Sequence, residues 1–158
     1  MDLVTKRLIR HWIEMEPHRD IPWHAPGRPA SECSVALIST AAIALKADRP
    51  FDQNGERENP WWGDPTYRVI PGSARTAELE VYHLHIDPDP VRQDINTVLP
   101  LQRLTELADE GIIGNVARSH YSFMGYLLDP GVFLRDSLPG IINHLREESV
   151  DLVILVPA

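Results

Sequence analysis

Two uninterrupted apolar runs narrow what this chain can fold into. Residues 33–45 read CSVALISTAAIAL and residues 151–156 read DLVILV. A strand with one wet face alternates apolar and polar side chains, whereas a continuous apolar run suits a strand covered on both faces, as in a parallel sheet between helical layers. The first run is too long for one ordinary strand. Its pattern predicts a strand over Ser34–Ser39, followed by a turn into the small residues of 40–44. Residues 79–86 and 112–117 read as further strands, with a short one at 67–70 inside a long polar loop over 46–76. Loops of that length are uncommon in compact domains and often carry function.

Helical spacing accounts for much of the rest. Val4, Leu8 and Trp12, with Ile9 and Ile13, form one apolar stripe over residues 3–15, and Pro17 ends it. Residues 17–31 hold four prolines and one glycine and read as an irregular arm. Leu101, Leu104, Leu107 and Ala108 mark a helix within 99–113, with Pro100 in its first turn and Gly111 where a left-handed residue closes it. Asp129-Pro130 is a helix start, and the stripe Leu134, Leu138, Ile141, Ile142 and Leu145 is divided by Pro139. Strands alternating with helices predict an α/β fold: an open, mostly parallel, Rossmann-like sheet with flanking helices. The expected organisation is a helix and arm over 1–32 and one α/β domain over 33–158. Ligands of such sheets bind beyond the carboxyl ends of the strands.

Composition excludes several function classes. The net charge of −8 lacks the clustered Lys and Arg that phosphate neutralisation requires, so no nucleic-acid surface is expected. No apolar stretch approaches the ~20 residues that span a bilayer, and no apolar signal segment follows the N-terminus. No membrane association and a cytoplasmic location are therefore expected. Cys33 is the single cysteine, which leaves no internal disulfide, thiolate metal cluster or dithiol centre within the chain. Glycine-rich phosphate loops are absent, so a nucleotide cofactor has no support.

Four constellations could carry chemistry. His83, His85 and Asp87 are two apart, and on a strand they would share a face and offer two imidazoles and a carboxylate to zinc or iron, or to a proton relay. The bland reading has them capping a strand end. Asp94 and Asn96 lie just before a helix, where they would cap it or present an anion site. His120 and Tyr121 sit in the run SHYSFMGY, more polar than a core strand needs. His120 beside Ser119 or Ser122 raises a nucleophile–base pair, but the elbow motif of serine hydrolases is missing. Asp64 and Arg68, in GDPTYR, suit a surface turn with a salt bridge or a forked clamp on a substrate carboxylate.

Taken together, CSVALISTAAIALKADRPFD (33–52), GDPTYRVIP (63–71), DINTVLPLQRLTELADEGIIG (94–114), SHYSFMGYL (119–127) and VDLVILVPA (150–158) resemble the selenoprotein B family of the glycine, sarcosine, betaine and D-proline reductases. The order and spacing carry the resemblance, which covers most of the chain from residue 33 onward. It implies a selenol- or thiol-dependent reductase that cleaves a C–N bond of a small amino acid or amine. In that family the strand similar to 151–158 runs into a motif bearing selenocysteine or cysteine, and the substrate is held as an imine on a pyruvoyl group of a partner subunit. The resemblance therefore implies no cofactor within this chain, a redox residue beyond Ala158, and a homo-oligomeric or partner subunit covering an apolar face. A reading that stopped at a selenocysteine codon would end the chain here. His85, His120 and Tyr121 are the expected catalytic residues, with Asp64, Arg68, Asp94 and Asn96 expected to bind substrate. Two other functions stay open at this point: a metal-dependent enzyme using His83, His85 and Asp87, and a non-catalytic domain that binds a small amine.

Overall fold

The computed structural model describes residues 3–15, 25–59 and 61–158. The order is α1 (Leu3–Met15), β1 (Ser34–Ser39), β2 (Ile43–Leu45), α2 (Gln53–Glu58), β3 (Tyr67–Pro71), β4 (Leu79–Val81), α3 (Pro88–Gln93), α4 (Leu101–Asp109), β5 (Asn115–Val116), β6 (Ser119–Phe123), α5 (Leu138–Glu147) and β7 (Leu152–Val156). Most of the expected arm, residues 16–24, lies outside the described residues.

β1 is the centre of a mixed, mostly parallel sheet. Along one edge it pairs in parallel with β5 and then β6; along the other it pairs in parallel with β7 over Val35–Ser39. β3 adds to the far side of β6 in the antiparallel sense. β2 and β4 form a separate antiparallel pair. All six residues of β1 are buried, as its unbroken apolar run requires. Its faces alternate as a strand must: Val35 and Leu37 enter a core with Ile43, Ile70, Leu99, Leu101 and Leu104, while Ile38 enters a second core with Tyr121, Phe133 and Ile141.

Several expectations need correction. The strand at 79–86 stops at Val81, and residues 82–87 form a turn. The strand at 112–117 is confined to Asn115–Val116. The small-residue segment 40–44 is partly the strand β2, entered through Ala42 at φ 51°. Residues 151–156 were expected to be doubly buried, but β7 is the outermost strand on its side. Its Val153, Ile154 and Leu155 are exposed, Leu155 by 71%, because among the described residues nothing pairs with its outer edge. The polar loop over 46–76 contains α2 and β3. Pro139 divides the last helix as expected: a π-helical turn, Phe133–Ser137, gives way to α5 with the proline in its first turn.

The largest surprise is β6. The run Ser119–Phe123 is the strand inserted between β1 and β3, with His120, Tyr121 and Ser122 fully buried. The ladder between β1 and its β5–β6 edge is interrupted around residues 117–118. Leu37 N–H there donates to His120 Nδ1 at 2.9 Å. Ile43 N–H likewise donates to Ser122 Oγ at 2.8 Å, and Ser122 Oγ donates to Ser39 O at 3.1 Å. Imidazole and hydroxyl take the place of missing strand partners, since buried backbone amides must be satisfied.

Ser122→Ala leaves the buried Ile43 amide without its acceptor. The expected loss is about 1–3 kcal/mol of stability, read from urea unfolding as a lower midpoint with an unchanged slope.

Candidate active site at the carboxyl edge of the sheet

β1, β6 and β7 run in parallel, so their carboxyl ends lie on one edge. Three backbones converge there through Thr40. Its N–H donates to Val156 O at 3.1 Å, its carbonyl accepts from Gly125 N–H at 2.9 Å, and its Oγ1 accepts from Ala158 N–H at 2.8 Å. A Cβ on Gly125 would lie 2.8 Å from Thr40 Cβ, so the glycine is what lets the two turns approach.

The wall of this edge is built from the chain after β6 and from the 46–76 region. Tyr126 follows Gly125, and its ring lies against His85, with centroids 4.3 Å apart. A Cβ on Gly63 would sit 2.0 Å from Tyr126 O, so the backbone around residue 63 lies directly on that of Tyr126. Asp64 holds that backbone in place. It is buried and accepts from Asp52 N–H, Thr66 N–H and the Thr66 hydroxyl at 2.9, 2.9 and 2.5 Å. Asp52 in turn caps α2 by accepting from Asn54 and Gly55 N–H.

The expected site residues separate into different environments. His85 is at the wall, its side chain 51% exposed, with Nε2 2.7 Å from Glu56 Oε1. His83 lies beside it, ring centroids 5.8 Å apart, and its Nδ1 accepts from His85 N–H at 3.1 Å. Burial first, and then the neighbouring His85, lowers the pKa of His83. Asp87 accepts from Asp89 N–H as the cap of α3. The strand geometry that would have aligned His83, His85 and Asp87 is therefore not formed, and no group of three His, Cys, Asp or Glu side chains is placed to hold a metal ion among the described residues.

Arg68 donates to the carbonyls of Arg49, Pro50 and Tyr67 and to Thr66 Oγ1, and its guanidinium sits 4.2 Å above the Phe51 ring. These partners engage all three guanidinium nitrogens, and Nη2 lies 4.0 Å from Asp64 Oδ2, so Arg68 stitches the loop together in the manner of the turn-with-salt-bridge alternative. Asp94 Oδ1 accepts from Asn96 N–H and Nδ2–H, and Asn96 Oδ1 accepts from Gln102 N–H. Asp94 is exposed and Asn96 half-buried, and both cap the turn into α4, as the capping reading has it. His120 and Tyr121 are fully buried on opposite faces of β6. Burial holds the His120 pKa down to about 4 and pushes that of Tyr121 up to about 12.

Sequence reasoning missed Glu56, Tyr126 and Thr40. Glu56 sits in a short charged segment, QNGERE, inside the polar loop and within no recognisable motif. Nothing in a linear pattern brings it to a histidine twenty-nine positions away.

Comparison of the sequence with known proteins finds a relative. Over 133 residues, 84% of this chain, it is 34% identical to D-proline reductase subunit gamma of Acetoanaerobium sticklandii. The chain is related to a reductase subunit. It spans about half the length of that subunit, 52%. No family model and no solved structure matches the chain. No helix among the described residues is long and apolar enough to cross a membrane.

His120 generates a pH prediction. Its folded pKa of about 4 lies below the ordinary value of 6.5, so the unfolded chain binds more protons between these values. Stability is therefore fully present above about pH 6.5 and falls as pH drops towards 4, by on the order of 3 kcal/mol for this group. His120→Gln, measured by urea unfolding at pH 4.5 and 7.5, should flatten that slope while lowering stability at neutral pH.

Proposed function

We propose that this chain is the catalytic portion of a reductase subunit that cleaves a C–N bond of a small amino acid or amine, with D-proline as the first substrate to test. The relationship to the D-proline reductase subunit carries this reading. The convergence of Thr40, Gly125 and Ala158 at one sheet edge supports the location, because open α/β sheets use that edge for ligands. Cys33 is buried and its Sγ lies 3.3 Å from Pro29 O, so the one cysteine in this sequence is poorly placed as a nucleophile.

In this reading a selenocysteine or cysteine follows Ala158, as the sequence resemblance implies. It would supply the selenolate or thiolate that reduces the C–N bond. The local donors fit such a group: Thr40 already fixes Ala158 and carries a hydroxyl that can donate to an anion beside it. Gly125 lets the turn after β6 pack directly against Thr40 at the same place. Tyr126 and His85 form the polar–aromatic wall against which a small amine can lie. A pyruvoyl-bearing partner subunit belongs to the same proposal. The exposed apolar side chains of β7, and its outer edge, unpaired among the described residues, offer it a surface, since such edges are rarely left open.

The reading is tested by purifying the protein from its own host through an N-terminal tag. A co-purifying subunit with a hydrazine-reactive carbonyl, and ring-opening of D-proline with a dithiol as reductant, are expected. In that assembly Thr40→Val should lower turnover on the order of 10- to 100-fold by misplacing the redox residue, while Thr40→Ser retains most of it. A preparation with neither a reactive carbonyl nor turnover of D-proline, glycine, sarcosine or betaine would overturn the reading.

A further inference from the structure

Glu56 is a buried acid that the fold does not need. Asp52 already caps α2, and Glu56 takes no part in the backbone ladder. Its side chain is only 3% exposed. Oε1 meets His85 Nε2 at 2.7 Å, and Oε2 is buried without a hydrogen-bond partner among the described residues. Burying a carboxylate with half its acceptor capacity unused costs several kcal/mol. Sites that keep such a group generally use its charge.

His85 is held from three sides. Glu56 lies under Nε2, Tyr126 lies against the ring at 4.3 Å, and the His83 ring meets it edge-on at 81°. Yet the His85 side chain remains half exposed. A carboxylate only accepts, so the proton on the contacted nitrogen belongs to Nε2. Nδ1 is the nitrogen left without a hydrogen-bond partner among the described residues. An imidazole whose buried nitrogen is fixed by a carboxylate, and whose other nitrogen is free, is the arrangement in which a base is oriented by a third group.

We propose that Glu56 is the positioning residue of a proton-transfer pair in which His85 Nδ1 exchanges a proton with the nitrogen of a small amine bound at the carboxyl edge. The amine substrate rests on the functional reading above; the pairing does not. The proton moves between Nδ1 and the substrate nitrogen, and the ring alternates between imidazole and imidazolium. Glu56 makes and breaks no covalent bond, and only N–H bonds change in this step. The expected sequence motif, His83-x-His85-x-Asp87, thus contributes one working imidazole, whose carboxylate partner comes from α2.

Nitrogen-detected NMR of the histidine rings in the 158-residue chain tests the pairing without any activity. Neutral His85 should show the Nε2–H tautomer alone, and Glu56→Leu should convert it to a mixture of tautomers. A mixture or the Nδ1–H form in the wild-type chain overturns the proposal, even if the variant does not fold. In the assembled reductase, Glu56→Gln should lower kcat on the order of 10- to 100-fold with little change in KM for the amine, and His85→Gln should lower it at least as far. Unchanged kcat in Glu56→Gln, with an active wild type, also overturns it. An inactive wild-type assembly would count against the reductase reading instead, and the tautomer would still report on the pair.

Discussion

Everything in this fold is arranged around the hydrogen bonding of β1. That strand is buried on both faces and flanked on both edges, so each of its amides needs a partner inside the protein. β7 supplies a regular ladder on one side. The other side is shared by two short strands with a break between them, and the break exposes the Leu37 amide to an apolar core. His120 closes it with Nδ1, and Ser122 does the same for the chain entering β2. A neutral imidazole is the form that can accept there, which is why burial and acceptance agree in holding His120 neutral.

This constraint decides which polar residues are free for chemistry. His120 and Ser122 are committed to backbone amides, and Tyr121 fills the opposite core against Phe133 and Ile141. Asp64 and Arg68 are committed to the loop that brings Gly63 against Tyr126. What remains at the carboxyl edge is a small set: Thr40 at the junction of three strand ends, Tyr126, and the Glu56–His85 pair. The parallel strands fix Thr40 and Gly125 directly, while the loop and the turn after β4 carry the pair to the same wall.

Periodicity and apolar content made the architecture readable. The run at 34–39 is apolar because β1 is doubly buried, and the division at Pro139 follows from its missing amide proton. β7 misled for the same physical reason that β1 did not: an apolar run marks a face that wants cover, and the described residues leave this one open. β6 was illegible because side chains replaced ladder partners, so polarity signalled core where it usually signals surface. The histidine pattern at 83–87 depended on a strand that ends at Val81. His85 was singled out on a strand geometry that is not formed, and its contact with Glu56 was illegible, since the two are distant in sequence. The resemblance to a reductase family, by contrast, rested on several ordered segments and agrees with the relationship to the D-proline reductase subunit.

The central claim is that one sheet edge gathers the reactive groups of this protein. It is tested most directly by an experimental structure of the chain continued past Ala158. The account predicts that the next side chain lies beside Thr40 and Gly125 and on the same side of the sheet as His85. A continuation that leaves along the outer edge of β7, with its first side chain on the opposite face of the sheet from His85, would contradict it.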